Sequence, residues 1–194
     1  MGPRVITKAM PNAAAGSIAL QFGIRGPVMT YATACASSAN SIGEAVYWLQ
    51  RGEVDAVLAG AALAMKRALQ SAGRQPTDID YVNAHATSTP AGDMAESNAL
   101  RAVFGDHLKQ MPVSSIKGAV GHLLGAAGAI ESIACIKSIE TGWLPPTLHC
   151  QEREPAAPPD VVAGTSRQQP IRLALSNSFG FGGQNGVLIW QANR

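Results

Sequence analysis

The 194-residue chain is short of charge: Asp, Glu, Lys and Arg make up 14% of it, against roughly 25% in ordinary soluble domains. So low a fraction suggests that a partner subunit covers part of the surface. Fifteen basic residues against thirteen acidic ones leave a net charge of +2. They form no basic stripe, so nucleic acid is not an expected partner. Cysteine is scarce as well. Cys35, Cys135 and Cys150 form no CxxC pair and no even-numbered framework, which argues against a disulfide scaffold and for a reduced compartment. No apolar run reaches the roughly 18 residues that span a bilayer, and Met1–Leu20 lacks a signal-peptide pattern, so the expected setting is cytoplasmic, with no membrane partner. No fixed-period repeat occurs.

What the chain does have is 46% hydrophobic residues, enough for one substantial core at this length. Pro11–Gly16 opens a short alanine-rich helix, and Arg25-Gly26-Pro27 closes the loop after it. Val28–Ala34 reads as a strand. Ile42, Ala45, Val46 and Leu49 fall at helical spacing within Ala36–Arg51, and Gly52 ends that helix. Further strands are expected at Val54–Ala59, Ile79–Asn83, Val113–Ile116, Leu173–Ser176 and Val187–Gln191. Helices are expected at Leu63–Ala72, Ala91–Phe104 and His122–Glu140. Pro145–Pro159 reads as an ordered surface loop, and Ser178–Gly186 as a glycine-rich turn. Strands alternating with helices give an α/β layered fold.

One junction breaks the pattern. The strand Val54–Ala59 passes through Gly60 almost directly into the next helix, without the usual 2–6 residue loop and without a Ser, Thr, Asp or Asn cap. Either Gly60 makes a tight turn or a segment is missing.

Four segments carry candidate chemistry. In Thr33-Ala34-Cys35-Ala36-Ser37-Ser38 a thiol stands at a helix start, where the positive end of the macrodipole favours the thiolate and small neighbours leave an approach path. A buried, inert cysteine fits the same residues. In Asn83-Ala84-His85-Ala86-Thr87-Ser88-Thr89 a histidine follows a strand, the position at which α/β sheets present ligands. A core histidine bonded to backbone fits there too. In Ser114–Ala129, Lys117 and His122 lie together where a strand meets a helix. In Asn177–Gly186 the glycines permit positive φ and let backbone amides reach a ligand.

Together "NAHATSTPAGD", "GHLLGAAGA" and "NSFGFGGQNG" resemble the elongating β-ketoacyl-acyl carrier protein synthases, condensing enzymes of fatty-acid and polyketide synthesis in the thiolase-like superfamily. The resemblance runs from Pro11 to Gln191, and the histidine at position 122 points to the elongating branch. It implies a thiolase-like αβαβα fold. Residues 1–61 would be part of the half that carries Cys35, and residues 62–194 part of the half that carries both histidines. It also implies decarboxylative condensation of an acyl thioester with a malonyl thioester, both carried on the phosphopantetheine of an acyl carrier protein, with no free cofactor and no metal.

By the same resemblance Cys35 is the acylated nucleophile. His85 and His122 stabilise the enolate, an oxyanion task suited to two neutral imidazoles in a dry site. The backbone amides of Cys35 and Phe181 hold the tetrahedral oxyanion. Lys117 matches the active-site lysine and Glu131 its acidic partner. Glu96 matches a second acidic position, for which a plain helix-face charge is the bland reading. Thr87 and Thr89 match the hydroxyls lining the pantetheine arm. Phe181 matches the gating aromatic, and Phe179 beside it counts with Thr87 and Thr89 among the substrate-binding residues, with core packing as its ordinary role. A homodimer is implied, paired through Val28–Ala34. Members of the family are longer, so the resemblance makes this chain truncated at its start and internally deleted near Ala61, with an incomplete fold. A non-catalytic remnant that binds thioesters or a partner is the competing function.

Overall fold

The computed structural model describes Gln21 and residues 33–37, 39–40, 61–180 and 185–192. Residues 33–194 form one compact unit. The expected strand at 54–59, most of the strand at 28–34, most of the helix at 36–51 and the helix opened at 11–16 lie outside the described residues.

The central sheet contains β1 (Tyr81–Asn83), β2 (Val113–Ser114), β5 (Leu173–Phe179) and β6 (Asn185–Gln191), in the order β2-β1-β5-β6. β1 runs parallel to β2 and to β5, with Val82 opposite Val113 and Leu175. β6 returns antiparallel to β5, from Phe179↔Asn185 to Leu173↔Gln191. All of β1 is buried, and so is β5 as far as Ser178, as expected of strands covered on both faces. Alternation then sorts their side chains into two cores. On one face Val82 and Leu175 meet Met65 and Leu69 of α1 (Ala61–Ser71) and Leu100, Val103 and Phe104 of α2 (Pro90–Phe104). On the other, Tyr81 and Ala174 meet Cys135 of α4 (Ala127–Thr141), together with Leu144, Val162 and Ile171.

α1 ends as its sequence demands. Gly73 takes φ +62°, its amide reaches Gln70 O, and the Arg74 amide reaches Leu69 O, which satisfies the orphan carbonyls of the last turn. A small antiparallel pair, β3 (Trp143–Leu144) with β4 (Arg167–Gln168), brackets the proline-rich connector. Two residues apiece are too short for periodicity to register. The connector is anchored by Thr147 N–H to Val162 O (2.7 Å) and by a bridge between Val113 and Val161.

Several expected boundaries move. Thr33 is not in a strand, and Ala34 opens a 3-10 turn, Ala34–Ala36, so Cys35 sits inside this turn and helical residues follow from Ser37. β2 stops at Ser114 because the Ser115 amide turns to the Thr147 hydroxyl (3.1 Å). Lys117–Val120 then forms a one-turn helix, α3. The expected helix His122–Glu140 starts only at Ala127, since positive φ at Gly121 (+76°) and Leu124 (+52°) breaks the spiral. His122 therefore sits on a tight irregular segment and not on a helix face. β5 and β6 each extend the expected hairpin strands by two or three residues.

Candidate active site

β1 and β2 are parallel, and their carboxyl ends deliver His85 and Lys117 to one edge of the sheet, beside the end of β5 at Phe179. In open α/β sheets this edge is where ligands bind. The opposite edge holds an open depression of about 460 Å3 with Arg74, Asp78, Asp80 and Arg172 on its walls, and among the described residues no thiol or imidazole lines it.

Cys35 reaches this edge because two glycines let its segment in. A β-carbon on Gly128, in the first turn of α4, would stand 2.9 Å from Ala39 N and 3.1 Å from Ser178 Oγ. One on Gly186 of β6 would stand 2.7 Å from Asn40 Oδ1. Both are closer than side chains approach, so Gly128 of "GAAGA" and Gly186 of "QNG" leave room for the segment that carries the thiol. That segment is tied by Thr33 N–H to Ser37 Oγ (2.9 Å) and by Asn40 Nδ2 to Thr33 Oγ1 (2.8 Å).

The Cys35 sulfur, buried to 5% exposure, lies 3.0 Å from His122 Nε2. The Leu124 backbone N–H donates to His122 Nδ1 (3.3 Å). Nδ1 is thus an acceptor, and the proton of the neutral ring sits on Nε2, facing the sulfur. The His85 ring stands edge-on to His122, centroids 5.3 Å apart, and 6.0 Å from the Phe179 ring. Burial, with help from Lys117 and His122, drives the His85 pKa down to about 3, and burial and Lys117 also lower that of His122. Both rings are neutral at physiological pH. Donor atoms of Cys35, His85 and His122 all lie within 4.8 Å of one another, a soft set that by type would suit zinc. The Leu124 contact opposes that use, because a ligating Nε2 carries no proton.

Behind the imidazoles are two buried carboxylates. Glu131 pairs with Lys117 Nζ and accepts from Ser178 Oγ (3.4 Å). Burial pushes the Glu131 carboxyl up, and Lys117 pulls it back. Glu96 is only 4% exposed and is no helix-face charge. Its Oε1 accepts the His85 N–H and Asn177 Nδ2 (both 2.9 Å), and Oε2 accepts the Ala86 N–H (2.8 Å). Burial raises its pKa and the backbone amides draw it down again. Glu96 therefore fixes the loop that carries His85. Within that loop Ala86 (φ +24°) and Ser88 (φ +63°) hold left-handed conformations, each costing on the order of 1 kcal/mol or more.

A cavity of about 520 Å3 opens beside His122 and Lys117, between the Ala86–Ser88 loop and the Thr147–Cys150 stretch of the connector. Thr87 lies on its wall, with its hydroxyl 3.2 Å from that of Thr89, which is exposed. Phe179 is half-buried at the end of β5. Phe181, Gly182 and Gly183 lie outside the described residues. Sequence reasoning did not find the Leu124 amide, because a backbone donor leaves no residue signature. It also missed the cavity-lining role of the connector, which proline content marked only as loop.

A family model described as "Beta-ketoacyl synthase, C-terminal domain" matches residues 33–151. The chain belongs to the β-ketoacyl synthase family. It is 30% identical to Nodulation protein E of Rhizobium sp. (strain N33), over 268 residues covering 96% of this chain and 67% of that protein. It is 31% identical to the mitochondrial 3-oxoacyl-[acyl-carrier-protein] synthase of Arabidopsis thaliana, over 98% of this chain and 62% of that one. A β-ketoacyl synthase from Burkholderia phymatum STM815 superposes with a TM-score of 0.82 at 27% identity, over 95% of this chain and 66% of the solved one. The fold is therefore the thiolase-like α/β fold of ketosynthases. The chain spans about two thirds of the length of these relatives. Since 96% of 194 residues is about 186, the 268-position match to Nodulation protein E includes about 80 positions with no counterpart here. The ketosynthase match thus contains internal gaps, as the abrupt Gly60 junction leads one to expect.

Proposed function

We propose that this chain carries out decarboxylative condensation: an acyl group moves from a carrier-protein thioester to Cys35, and a malonyl thioester supplies the carbon nucleophile. The observation that carries this reading is the proton-bearing Nε2 of His122 set 3.0 Å from the Cys35 sulfur, with the neutral His85 ring edge-on beside it. Loss of CO2 leaves its electron pair on the thioester enolate, whose oxygen needs hydrogen-bond donors in a dry site, and two neutral imidazoles suit that need. The enolate carbon attacks the acyl-Cys35 carbonyl, and collapse of the tetrahedral intermediate expels the Cys35 thiolate. Cys35 and Phe181 amides are the proposed oxyanion donors, Lys117 with Glu131 sets the local field, and Thr87 and Thr89 face the pantetheine arm. The halves divide at residues 1–61 and 62–194.

The chemistry as written uses no metal or redox cofactor. Relatives named for an acyl carrier protein support carrier-bound substrates, and fatty-acid and polyketide elongation both fit. A homodimer through Val28–Ala34 is proposed on the low charge fraction, and a cytoplasmic setting on the three free cysteines. Among the described residues no helix is long and apolar enough to cross a membrane.

The gaps of about 80 positions favour a second reading, a non-catalytic remnant that binds thioesters or a partner. Intact mass after incubation with acyl-carrier thioester separates the two. A stable acyl adduct on wild type that is absent from Cys35→Ala supports the enzyme, and no adduct on either supports the remnant.

A further inference from the structure

Among the described residues the non-glycine positions with positive φ are Ala86, Ser88, Leu124 and His149, and every one of them borders the active site or its cavity. Ala86 is the one next to His85. Its backbone is held from both sides: the N–H by Glu96 Oε2 at 2.8 Å, the carbonyl oxygen by Ser115 Oγ at 3.4 Å. Its half-buried side chain packs on the α1/α2 core, and the residue is part of the cavity wall. Glycine would take a φ of +24° without strain. The chain instead keeps a methyl group there and bears the strain, and backbone outliers at a functional site point to a role.

We propose that Ala86 is a specificity-determining residue for the carbon nucleophile, its methyl group forming the cavity wall that admits a malonyl thioester and turns away an α-branched one. The inference rests on the condensing reading above. Ala86 follows His85 directly and lines the cavity that His122 and Lys117 also line, so the proposal sets the α-substituent of the carbon nucleophile against it. One methyl group too many in a fitted pocket costs about 10- to 200-fold in discrimination.

The test is binding of two pantetheine amides, malonyl and methylmalonyl, with NH in place of the thioester sulfur, to wild type, Ala86→Gly and Ala86→Ser by calorimetry. Wild type is expected to prefer the malonyl amide by about tenfold or more. Ala86→Gly brings the two affinities within about threefold, and Ala86→Ser, which adds an oxygen atom on the methyl carbon, keeps the preference for the malonyl amide at least as large as in wild type. Equal binding of both amides by wild type, or an unchanged ratio in a cooperatively folding Ala86→Gly, overturns the proposal. Failure of either amide to bind any of the three proteins overturns the condensing reading itself, and the proposal with it. Discrimination by wild type that Ala86→Gly abolishes, in a chain without turnover, upholds the proposal while the turnover reading falls.

Discussion

At His122 one backbone amide determines what the ring can do. With Leu124 N–H donating to Nδ1, Nε2 offers a proton to the Cys35 sulfur and to any oxygen that replaces it. Cys135 has no such neighbour: it is fully buried, and burial together with Glu131 pushes its thiol far up. Brief iodoacetamide treatment of the folded protein near pH 7 should therefore label Cys35 and leave Cys135 unmodified, as read by peptide mass mapping. Equal labelling of both thiols would contradict the assignment. His85 makes a prediction about stability. Below pH 6.5 the unfolded chain takes a proton at this imidazole, whereas the folded chain resists until about pH 3. The folded state binds fewer protons across that window, so His85 makes stability fall as the pH drops through it. Urea midpoints measured from pH 7 to pH 4 should fall less steeply in His85→Phe than in wild type. Parallel slopes would show that His85 is not held neutral.

The elements are placed by contacts that a sequence shows only in part. Strands β1 and β5 and helices α1 and α2 were legible within about three residues, because the 3.6-residue and two-residue periods and the glycine stops lie in the residues themselves. The start of α4 was not, because the backbone leaves the helical region at Gly121 and Leu124 to serve the His122 ring, and no apolar pattern records that. Likewise Glu96 falls at an ordinary helix spacing, and only the fold shows its carboxylate meeting two loop amides and Asn177. Glu96→Gln turns one accepting oxygen into a donor that faces another donor. It should cost about 1–3 kcal/mol and slow decarboxylation by misplacing His85. Chemical denaturation and a turnover assay read the two effects, and unchanged values for both would remove Glu96 from the support of the site. Gly128→Ala tests the other contact. Its β-carbon would press on Ala39 N at 2.9 Å, an overpacking worth about 1–3 kcal/mol, with a parallel loss of Cys35 acylation. A variant as stable as wild type would show that the Cys35 segment is less closely packed than described.

At the scale of the whole molecule, the chain holds a thiol, two neutral imidazoles and a buried Lys–Glu pair at one edge of the sheet that the described residues form, although about 80 positions of the matched relative have no counterpart in it. Catalytic groups work only when a supporting shell holds them to about 0.5 Å. Glu96, Gly128, Gly186 and the Leu124 amide are such a shell, and each lies within this chain. The most direct test is release of labelled CO2 from malonyl-carrier thioester by the full chain, with and without an acyl primer and with His122→Ala beside wild type. The account predicts primer-dependent release that yields a 3-oxoacyl product and falls by about 100-fold or more in His122→Ala, the scale at which a single oxyanion donor counts. No release from cooperatively folded wild type, or release that His122→Ala leaves unchanged, would contradict it.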